Sequence, residues 1–396
     1  MNKLPNGWQI KTLGDIFLIE RGSSPRPIKS FLTNDNNGIN WIKIGDAKNN
    51  SKYIYQSAEK IRPEGKKYSR FVEIGDLILS NSMSFGRPYI MKTIGCIHDG
   101  WVVLRKILKN IIYEEYAYYI LSSNQVHSEF SKLAAGSVVK NLSIDRIKQV
   151  YIPIPPLDEQ KRIASALSKI DAYLENTIKL IEEKERFKRG IAKKLLTCKE
   201  GENVPEARFK GFEDEWETIM LGDILSYEQP KDYIVKSEEY NNKYKYPVLT
   251  AGKTFILGYT NEEFGIYNKL PVIIFDDFTT DAQYVDFPFK VKSSAIKILK
   301  SKYYNTKLIY ELIKNIKFNA RTHKRYYISE YQYLKIKIPK SIKEQEDISG
   351  YLSLLDKEID NLKKQKELIK EMKRGAMQKL LSGEVRLSKN AFNDNI

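Results

Sequence analysis

The sequence predicts an α+β protein of two mixed α/β domains and two long helices, because it contains an internal duplication. Residues 159–196 and 344–381 align without a gap, and 15 of the 38 aligned positions are identical. A tryptophan followed by Leu-Gly-Asp-Ile also occurs twice, within 8–16 and within 216–224. Each copy is therefore a globular domain followed by one long helix, and two similar halves imply two similar working surfaces.

A chain of 396 residues is too long for one ordinary hydrophobic core, so we expect two. Apolar runs interrupted by Gly, Asp and Pro predict strands, and longer runs predict helices. The predicted strands lie at 40–44, 72–79, 150–156 and 270–275, and the shorter predicted helices lie at 111–121 and 307–316. Residues 199–211 are polar and contain Gly and Pro, which predicts a linker.

These patterns divide the chain into four segments. We predict a first domain at 1–155, a first long helix at 156–200, a second domain at 201–338 and a second long helix at 339–390.

The two long helices carry apolar residues in steps of three and four, which is typical of a coiled-coil seam. Ser341 and Glu344 have the spacing of a capping box at the start of the second helix. About 40 residues make a rod of roughly 60 Å. A single helix cannot hide its apolar stripe, so we expect the two helices to form an antiparallel coiled coil with an internal pseudo-two-fold repeat.

The net charge of +16 and the pI near 9.3 have two explanations. One is a coding bias toward Lys, Asn, Ile and Tyr; the other is a polyanionic partner, most simply nucleic acid. Cys96 and Cys198 lie in different predicted segments, so a disulfide framework is not expected and a cytoplasmic location fits. The sequence has no signal-like apolar run and no 18-residue apolar stretch, so no membrane span is expected.

Motif searches find no catalytic pattern. The sequence contains neither CxxC nor HExxH, and neither GxxxxGK[ST] nor GxGxxG, so we predict no metal and no nucleotide site in this chain. A cluster of aspartates in the second domain has two interpretations, a metal site of a metal-dependent nuclease or an ordinary strand end. The cluster comprises Asp276, Asp277 and Asp281. The strand end is favoured, because no suitably spaced Glu/Asp-x-Lys follows in that domain.

Basic residues beside aromatic residues or in Gly/Ser/Pro loops are candidates for DNA contact, since Lys and Arg bind phosphates and Arg and Asn also read base edges. Solvated surface loops are the alternative interpretation for each cluster. The candidates are Arg21, Arg26, Lys43, Arg87, Lys140, Asn141, Arg321, Lys324, Arg325 and Tyr326.

Lys-Arg-Gly recurs at 188–190 and 373–375, at matching places in the two long helices. A glycine inside a helix costs about 1 kcal/mol relative to alanine. The repeat therefore suggests a close helix approach or a docking site, although inheritance from the duplication is an equal alternative. The candidate docking residues are Ile163, Leu167, Lys188, Arg189, Gly190, Ile348, Leu352, Lys373, Arg374 and Gly375.

Three stretches together resemble a known family: Ile154–Ile163, Val204–Phe212 and Leu380–Leu387. The chain resembles the specificity (S) subunit of type I restriction–modification systems over essentially its whole length. Lys340-Ser341-Ile342 replaces a Pro-Pro-Leu type entry to the second helix, and Cys198 stands where a glycine is usual. Both departures are compatible with the resemblance.

The resemblance implies two target-recognition domains, each reading one half of a split site in double-stranded DNA. It implies that the long helices set the spacing and dock two modification (methyltransferase) subunits, and that restriction (translocase/nuclease) subunits join the complex. S-adenosylmethionine, ATP and Mg²⁺ would then act on partner subunits, with no cofactor and no catalysis in this chain. The rival interpretations are a stand-alone DNA-modifying enzyme (nuclease or methyltransferase) and a coiled-coil scaffold that reads no sequence.

Overall fold

The computed structural model describes residues 4–48, 51–81, 86–134, 143–250, 254–320 and 324–387. The chain forms two compact units, unit 1 from residues 1–177 and 365–396, and unit 2 from residues 178–364. Each long helix contributes one half to each unit, so these units cut across the four predicted segments. Within the described residues, no helix is long and apolar enough to cross a membrane.

Unit 1 combines a two-stranded ribbon with two larger sheets. In chain order its strands are β1 (Gln9–Thr12), β2 (Phe17–Arg21), β3 (Leu32–Thr33), β4 (Ile39–Ile42), β5 (Tyr53–Ile54), β6 (Glu59–Ile61), β7 (Arg70–Val72), β8 (Leu77–Ser80), β9 (Pro88–Met91), β10 (Gly95–Ile97), β11 (Trp101–Lys106) and β12 (Tyr151–Ile154). The ribbon pairs β1 with β12, and the sheets have the strand orders β2-β11-β8-β9-β5 and β3-β6-β4-β10-β7.

The helices of unit 1 share its main hydrophobic core with the sheet strands, and the last of them is the first long helix. They are α1 (Leu13–Ile16), α2 (Glu114–Leu121), α3 (Asn124–Ala134), α4 (Ile144–Lys148) and the first long helix α5 (Leu157–Leu196).

Unit 2 repeats this plan with smaller sheets. Its strands are β13 (Glu217–Met220), β14 (Leu225–Glu228), β15 (Tyr246–Leu249), β16 (Ile256–Thr260), β17 (Val272–Asp276), β18 (Ala282–Val285), β19 (Lys290–Val291), β20 (Ile296–Ser301) and β21 (Lys335–Ile338). Its helices are α6 (Leu221–Ile224), α7 (Thr306–Asn315) and the second long helix α8 (Ile342–Leu381). β13 pairs with β21, and the sheets run β14-β20-β17-β18 and β16-β15-β19.

The α+β prediction with two domains and two long helices is confirmed, and the two helices run antiparallel within each unit. In unit 2, Lys188 lies 2.5 Å from Asp356 and Lys184 lies 2.7 Å from Glu358, so the numbers fall along one helix as they rise along the other. In unit 1, Lys373 lies 2.5 Å from Asp171.

Local differences from the sequence prediction have simple causes. The strand predicted at 72–79 is two strands, because Gly75 turns the chain with φ of 92°. The helix predicted from 111 begins at Glu114, since Tyr113 has extended backbone angles and forms its N-cap. The predicted linker 199–211 folds back on the first long helix, where the Glu206 amide donates to the Thr197 carbonyl at 3.0 Å.

Candidate nucleic-acid interface

A buried glutamate near the start of each long helix joins that helix to its globular domain. In unit 1, Glu159 accepts a hydrogen bond from the Trp8 indole at 3.1 Å and two from the Arg386 guanidinium at 2.9 and 2.7 Å. Burial alone would raise the pKa of the Glu159 carboxyl, but the hydrogen bonds from Arg386 and Trp8 outweigh it, and the pKa is lowered.

Unit 2 repeats this Trp–Glu–Arg cluster with the same three residue types. Glu344 accepts from the Trp216 indole at 3.2 Å and from the Arg208 guanidinium at 2.7 and 2.8 Å. The hydrogen bond to Glu344 raises the pKa of Arg208. The capping box predicted at Ser341 is half present: the Ser341 hydroxyl accepts from the Glu344 amide at 3.3 Å, while the carboxylate binds Arg208 and Trp216.

The glutamine that follows each of these glutamates has an equally repeated role. Gln160 accepts from the Tyr113 amide at 2.8 Å and donates to the Pro155 carbonyl at 2.9 Å. Gln345 accepts from the Asn305 amide at 2.8 Å and donates to the Pro339 carbonyl at 2.8 Å. The repeated Glu-Gln pair therefore ties each helix to its domain, whereas the sequence had indicated only a capping role for Glu344.

The predicted docking residues fall into three groups. The apolar group is buried in the core of its own unit, so it holds the helix to the domain and is not a surface for a partner; it comprises Ile163, Leu167, Ile348 and Leu352. The lysines Lys188 and Lys373 each form an ion pair with the other long helix, at Asp356 and Asp171.

The remaining group lies at the surface of the helices. Arg189 and Arg374 are exposed. A Cβ added at Gly190 or Gly375 would meet no heavy atom of the described chain within 4 Å, so close approach of another part of this chain does not explain either glycine.

An exposed apolar side chain accompanies each of these glycines, which sequence reasoning missed. Phe187 is 52 % exposed and Met372 is 49 % exposed, and they occupy equivalent positions in the duplicated helices. Each lies three residues before its glycine, on the same helix face.

The basic candidates of unit 1 lie on several surface loops. Arg21 donates to the Asp99 carbonyl at 3.2 Å, and the Arg26 guanidinium lies 3.7 Å from the Asp99 carboxylate. Lys43 lies 2.5 Å from Glu59 in a half-exposed ion pair. The Arg87 guanidinium lies 5.5 Å from the ring centroid of Tyr89 and is half-buried.

A denser basic run in unit 1 was not singled out from the sequence. Residues 60–70 hold five cations, and an open cleft of about 780 Å³ lies between Lys66, Lys67, Arg70 and Arg105. Arg70 and Arg105 are each paired with Glu20, at 2.8 and 3.1 Å. The high density of cations in KIRPEGKKYSR is the signal that would have found it.

In unit 2 the structure describes part of the predicted basic cluster. Lys324 and Arg325 are exposed; Lys324 pairs with Glu330, and the Arg325 guanidinium lies 6.0 Å from the ring centroid of Phe278. The predicted DNA contact of Tyr326 is wrong, because Tyr326 is only 2 % exposed and packs edge-on against Phe318. Its ring is therefore not available to a base. The predicted residues Lys140, Asn141 and Arg321 lie outside the described residues.

The aspartates at 276–281 have the structure of a strand end. Asp276 accepts from the amides of Phe278 and Thr279 at 2.8 and 2.9 Å, which closes the turn after β17. Asp277 is buried and paired with Lys297 at 3.3 Å. Among the described residues no group of three or more His, Cys, Asp or Glu side chains could hold a metal ion.

Each unit combines a mixed α/β domain with a half of each long helix, and the same type of Trp–Glu–Arg cluster joins the domain to the helix. These features define a duplicated two-domain protein with basic surfaces. The family model described as "Type I restriction modification DNA specificity domain" matches residues 5–183 and 213–371. The chain therefore belongs to this family and carries two copies of its domain.

Individual relatives agree with this assignment. A type I restriction enzyme specificity subunit of Escherichia coli is 51 % identical over 141 residues, which is 34 % of this chain and 34 % of that protein. A putative type I restriction enzyme specificity subunit of Methanocaldococcus jannaschii is 27 % identical over 98 % of this chain and 96 % of its own length. The crystal structure of the S subunit from M. genitalium has a TM-score of 0.63 and 19 % identity, covering 96 % of this chain and 97 % of that one.

Proposed function

We propose that this chain is the DNA-sequence-reading subunit of a type I restriction–modification complex, in which unit 1 and unit 2 each read one half of a bipartite site. The repeated Trp–Glu–Arg cluster supports this most strongly, because it joins two dissimilar sheet regions to the helices in the same way. A common frame with different inserts is what an asymmetric split site requires.

The proposed DNA contacts are exposed or half-exposed cations of the two domains. In unit 1 they are Arg21, Arg26, Lys43 and Arg87 with the added cluster Lys66, Lys67 and Arg70, and in unit 2 they are Lys324 and Arg325. Lys140, Asn141 and Arg321 stay predictions from the sequence. Most of these contacts should be to phosphates, and fewer should be to base edges.

Methylome sequencing of the source cells with and without this gene tests the reading function. We expect a bipartite methylated motif that disappears with the gene and returns with the full-length chain. Retention of every methylated motif after deletion would contradict the proposal.

The long helices are proposed to dock two modification subunits at two equivalent patches, one of Phe187, Arg189 and Gly190 and one of Met372, Arg374 and Gly375. Their exposed apolar side chains and their repetition at equivalent positions, at an offset of 185, support two copies of one partner.

Phe187→Glu should remove one modification subunit and the double variant with Met372→Glu should remove both, measured as the mass of the assembled complex. Leu354→Glu is the matched control, since Leu354 is 55 % exposed but stands at an unrepeated position. Unchanged mass in the double variant would contradict these patches.

The helices are also proposed to set the number of unread base pairs between the half-sites. Deleting seven residues from each helix, 174–180 and 364–370, removes about 10 Å of helix, or roughly three base pairs of B-DNA. We expect the methylated motif to lose about three central base pairs, and an unaltered spacing would contradict the spacer role.

Catalysis and cofactors are proposed to reside in the partner subunits, with S-adenosylmethionine on the modification subunits and ATP and Mg²⁺ on the restriction subunits. The purified chain should show neither methyl transfer nor cleavage when it is mixed with S-adenosylmethionine, Mg²⁺ and DNA. Robust activity of the lone chain would favour the rival interpretation of a stand-alone enzyme.

A further inference from the structure

The core of unit 2 contains a charged pair that has no counterpart at the equivalent described positions of unit 1. Asp277 and Lys297 are each 1 % exposed, and the Lys297 ammonium lies 3.3 Å from the Asp277 carboxylate and 4.7 Å from the ring centroid of Tyr227. The strand registers align these residues with Asn81 and Val102 of unit 1, because Asp277 follows β17 as Asn81 follows β8.

A buried ion pair is weak evidence for stability, because desolvation of the two charges offsets their attraction. A well-packed apolar pair would stabilise the core equally well, so core stability does not explain why a charged pair is present. The other contacts of the Asp277 carboxylate indicate its role. The second carboxylate oxygen of Asp277 accepts from the Tyr327 amide at 2.8 Å, and the Asp277 carbonyl accepts from the Tyr326 amide at 2.8 Å.

These bonds fix two surface segments against each other. The basic segment 324–327 is held to Asp277 by two successive backbone amides, and Asp277 is also the second residue of the turn 276–281. Thr280 in that turn has a φ of 62°, a conformation that a residue other than glycine adopts where its surroundings impose it. Arg325 is thereby placed over the Phe278 ring at the surface, with its carbonyl accepting from the Ser329 hydroxyl at 2.8 Å.

We propose that the Asp277–Lys297 pair positions the basic segment 324–327 so that Arg325 reads base edges in the half-site of unit 2. Lys297 compensates the charge of Asp277, and Asp277 holds the backbone that presents the guanidinium. This inference rests on the proposed DNA-reading function. Asp277 acts through Arg325 and is a positioning residue.

Two double variants distinguish the effect of the Asp277 side-chain oxygen, which accepts from the Tyr327 amide, from the effect of the charges of Asp277 and Lys297. Asp277→Asn with Lys297→Met removes both charges but keeps a carbonyl oxygen for the Tyr327 amide, whereas Asp277→Ala with Lys297→Met removes that oxygen as well. Neither variant leaves an unpaired buried charge. Each variant is expressed as the full-length chain in the source cell, where it is part of its complex. Methylation is then measured at sites that carry every single-base change in each half-site. The half-site of unit 1 is the internal control.

We expect the alanine double variant to lose discrimination at the half-site of unit 2 by on the order of tenfold to a hundredfold, with the half-site of unit 1 unchanged. The asparagine double variant should stay within about threefold of the wild type, which is the range left when no base-edge contact is lost. Arg325→Ala should reproduce the loss, while Lys243→Ala, which removes an exposed cation from another loop of unit 2, should leave discrimination intact.

Wild-type discrimination in a folded alanine double variant would overturn the inference. If the alanine double variant fails to fold, Arg325→Ala tests the inference instead. A loss of discrimination with Arg325→Ala that is no greater than the loss with Lys243→Ala would also overturn the inference. Failure of the proposed function is distinguishable, since the wild-type chain would then show no preference at either half-site.

Discussion

Units 1 and 2 are alike where the helices meet the domains and different inside their sheets. Among the residues that the structure describes, unit 1 has two five-stranded sheets, whereas unit 2 has sheets of four and three strands. The Trp–Glu–Arg clusters and the two glutamines, in contrast, join the same kinds of donor and acceptor groups in both units. The repeated polar contacts therefore define the attachment to the helices, and the apolar interiors are free to differ.

The largest expected effect comes from removing the cluster carboxylate. Glu344→Ala should lower the free energy of unfolding of unit 2 by about 3–5 kcal/mol, because it leaves a buried guanidinium without its partner. Glu159→Ala should cost unit 1 less, since the Arg386 side chain is 44 % exposed while that of Arg208 is 12 % exposed. Hydrogen exchange read separately for peptides of the two units measures both losses. Glu346→Ala, an exposed carboxylate on the same helix, is the control, and equal losses in the two units would break the comparison.

A smaller effect is expected at the glutamines. Gln345→Ala leaves the Asn305 amide and the Pro339 carbonyl without partners, and Gln160→Ala does the same at Tyr113 and Pro155. Each change should cost its own unit about 2 kcal/mol. Chemical unfolding of both variants beside Gln378→Ala, an exposed glutamine of the second helix, gives the values. A loss in one unit alone would show that the two attachments are not energetically equivalent.

The smallest effect is the dependence on pH. Burial opposes ionisation of Glu159 and Asp356, but hydrogen bonds from Arg386 and Lys188 prevail, so the pKa of each carboxyl is lowered in the folded state. A lowered folded pKa gives stability that is present above the unfolded value, near 4.5 for Glu159, and is lost as the pH falls through the folded pKa. Protection should therefore decrease below about pH 4.5 in unit 1 and only below about pH 3.8 in unit 2, where Asp356 is the group concerned. Glu159→Gln should flatten the decrease in unit 1 alone. A pH profile for unit 1 that Glu159→Gln leaves unchanged would contradict this assignment.

Sequence patterns located the long helices well because apolar steps of three and four over 40 residues are a strong periodic signal. They also placed four core residues among the docking candidates, because residues such as Ile163 and Ile348 satisfy the same periodicity whether they face a partner or their own domain. Periodicity reports that a face is buried and does not report what buries it.

The candidate DNA contacts show the same limit. Arg325 and Tyr326 are neighbours in a basic aromatic run, yet the first is exposed and the second is in the core. The difference depends on Asp277, 49 positions away in the chain, whose carbonyl binds the Tyr326 amide. A single sequence carries no signal for that pairing.

The position of segment 382–387 in the chain determines the order in which the two units are completed during translation. Gly383 has a φ of 76° and lies against Pro5, and Arg386 donates to the Asn6 carbonyl at 3.3 Å as well as to Glu159. Residues 178–364 are all synthesised before this segment, so unit 2 has its complete set of residues first. The unit that begins the chain is thus the last to be completed during translation, and nascent chains stopped before residue 383 present an unclosed unit 1 to proteases and chaperones.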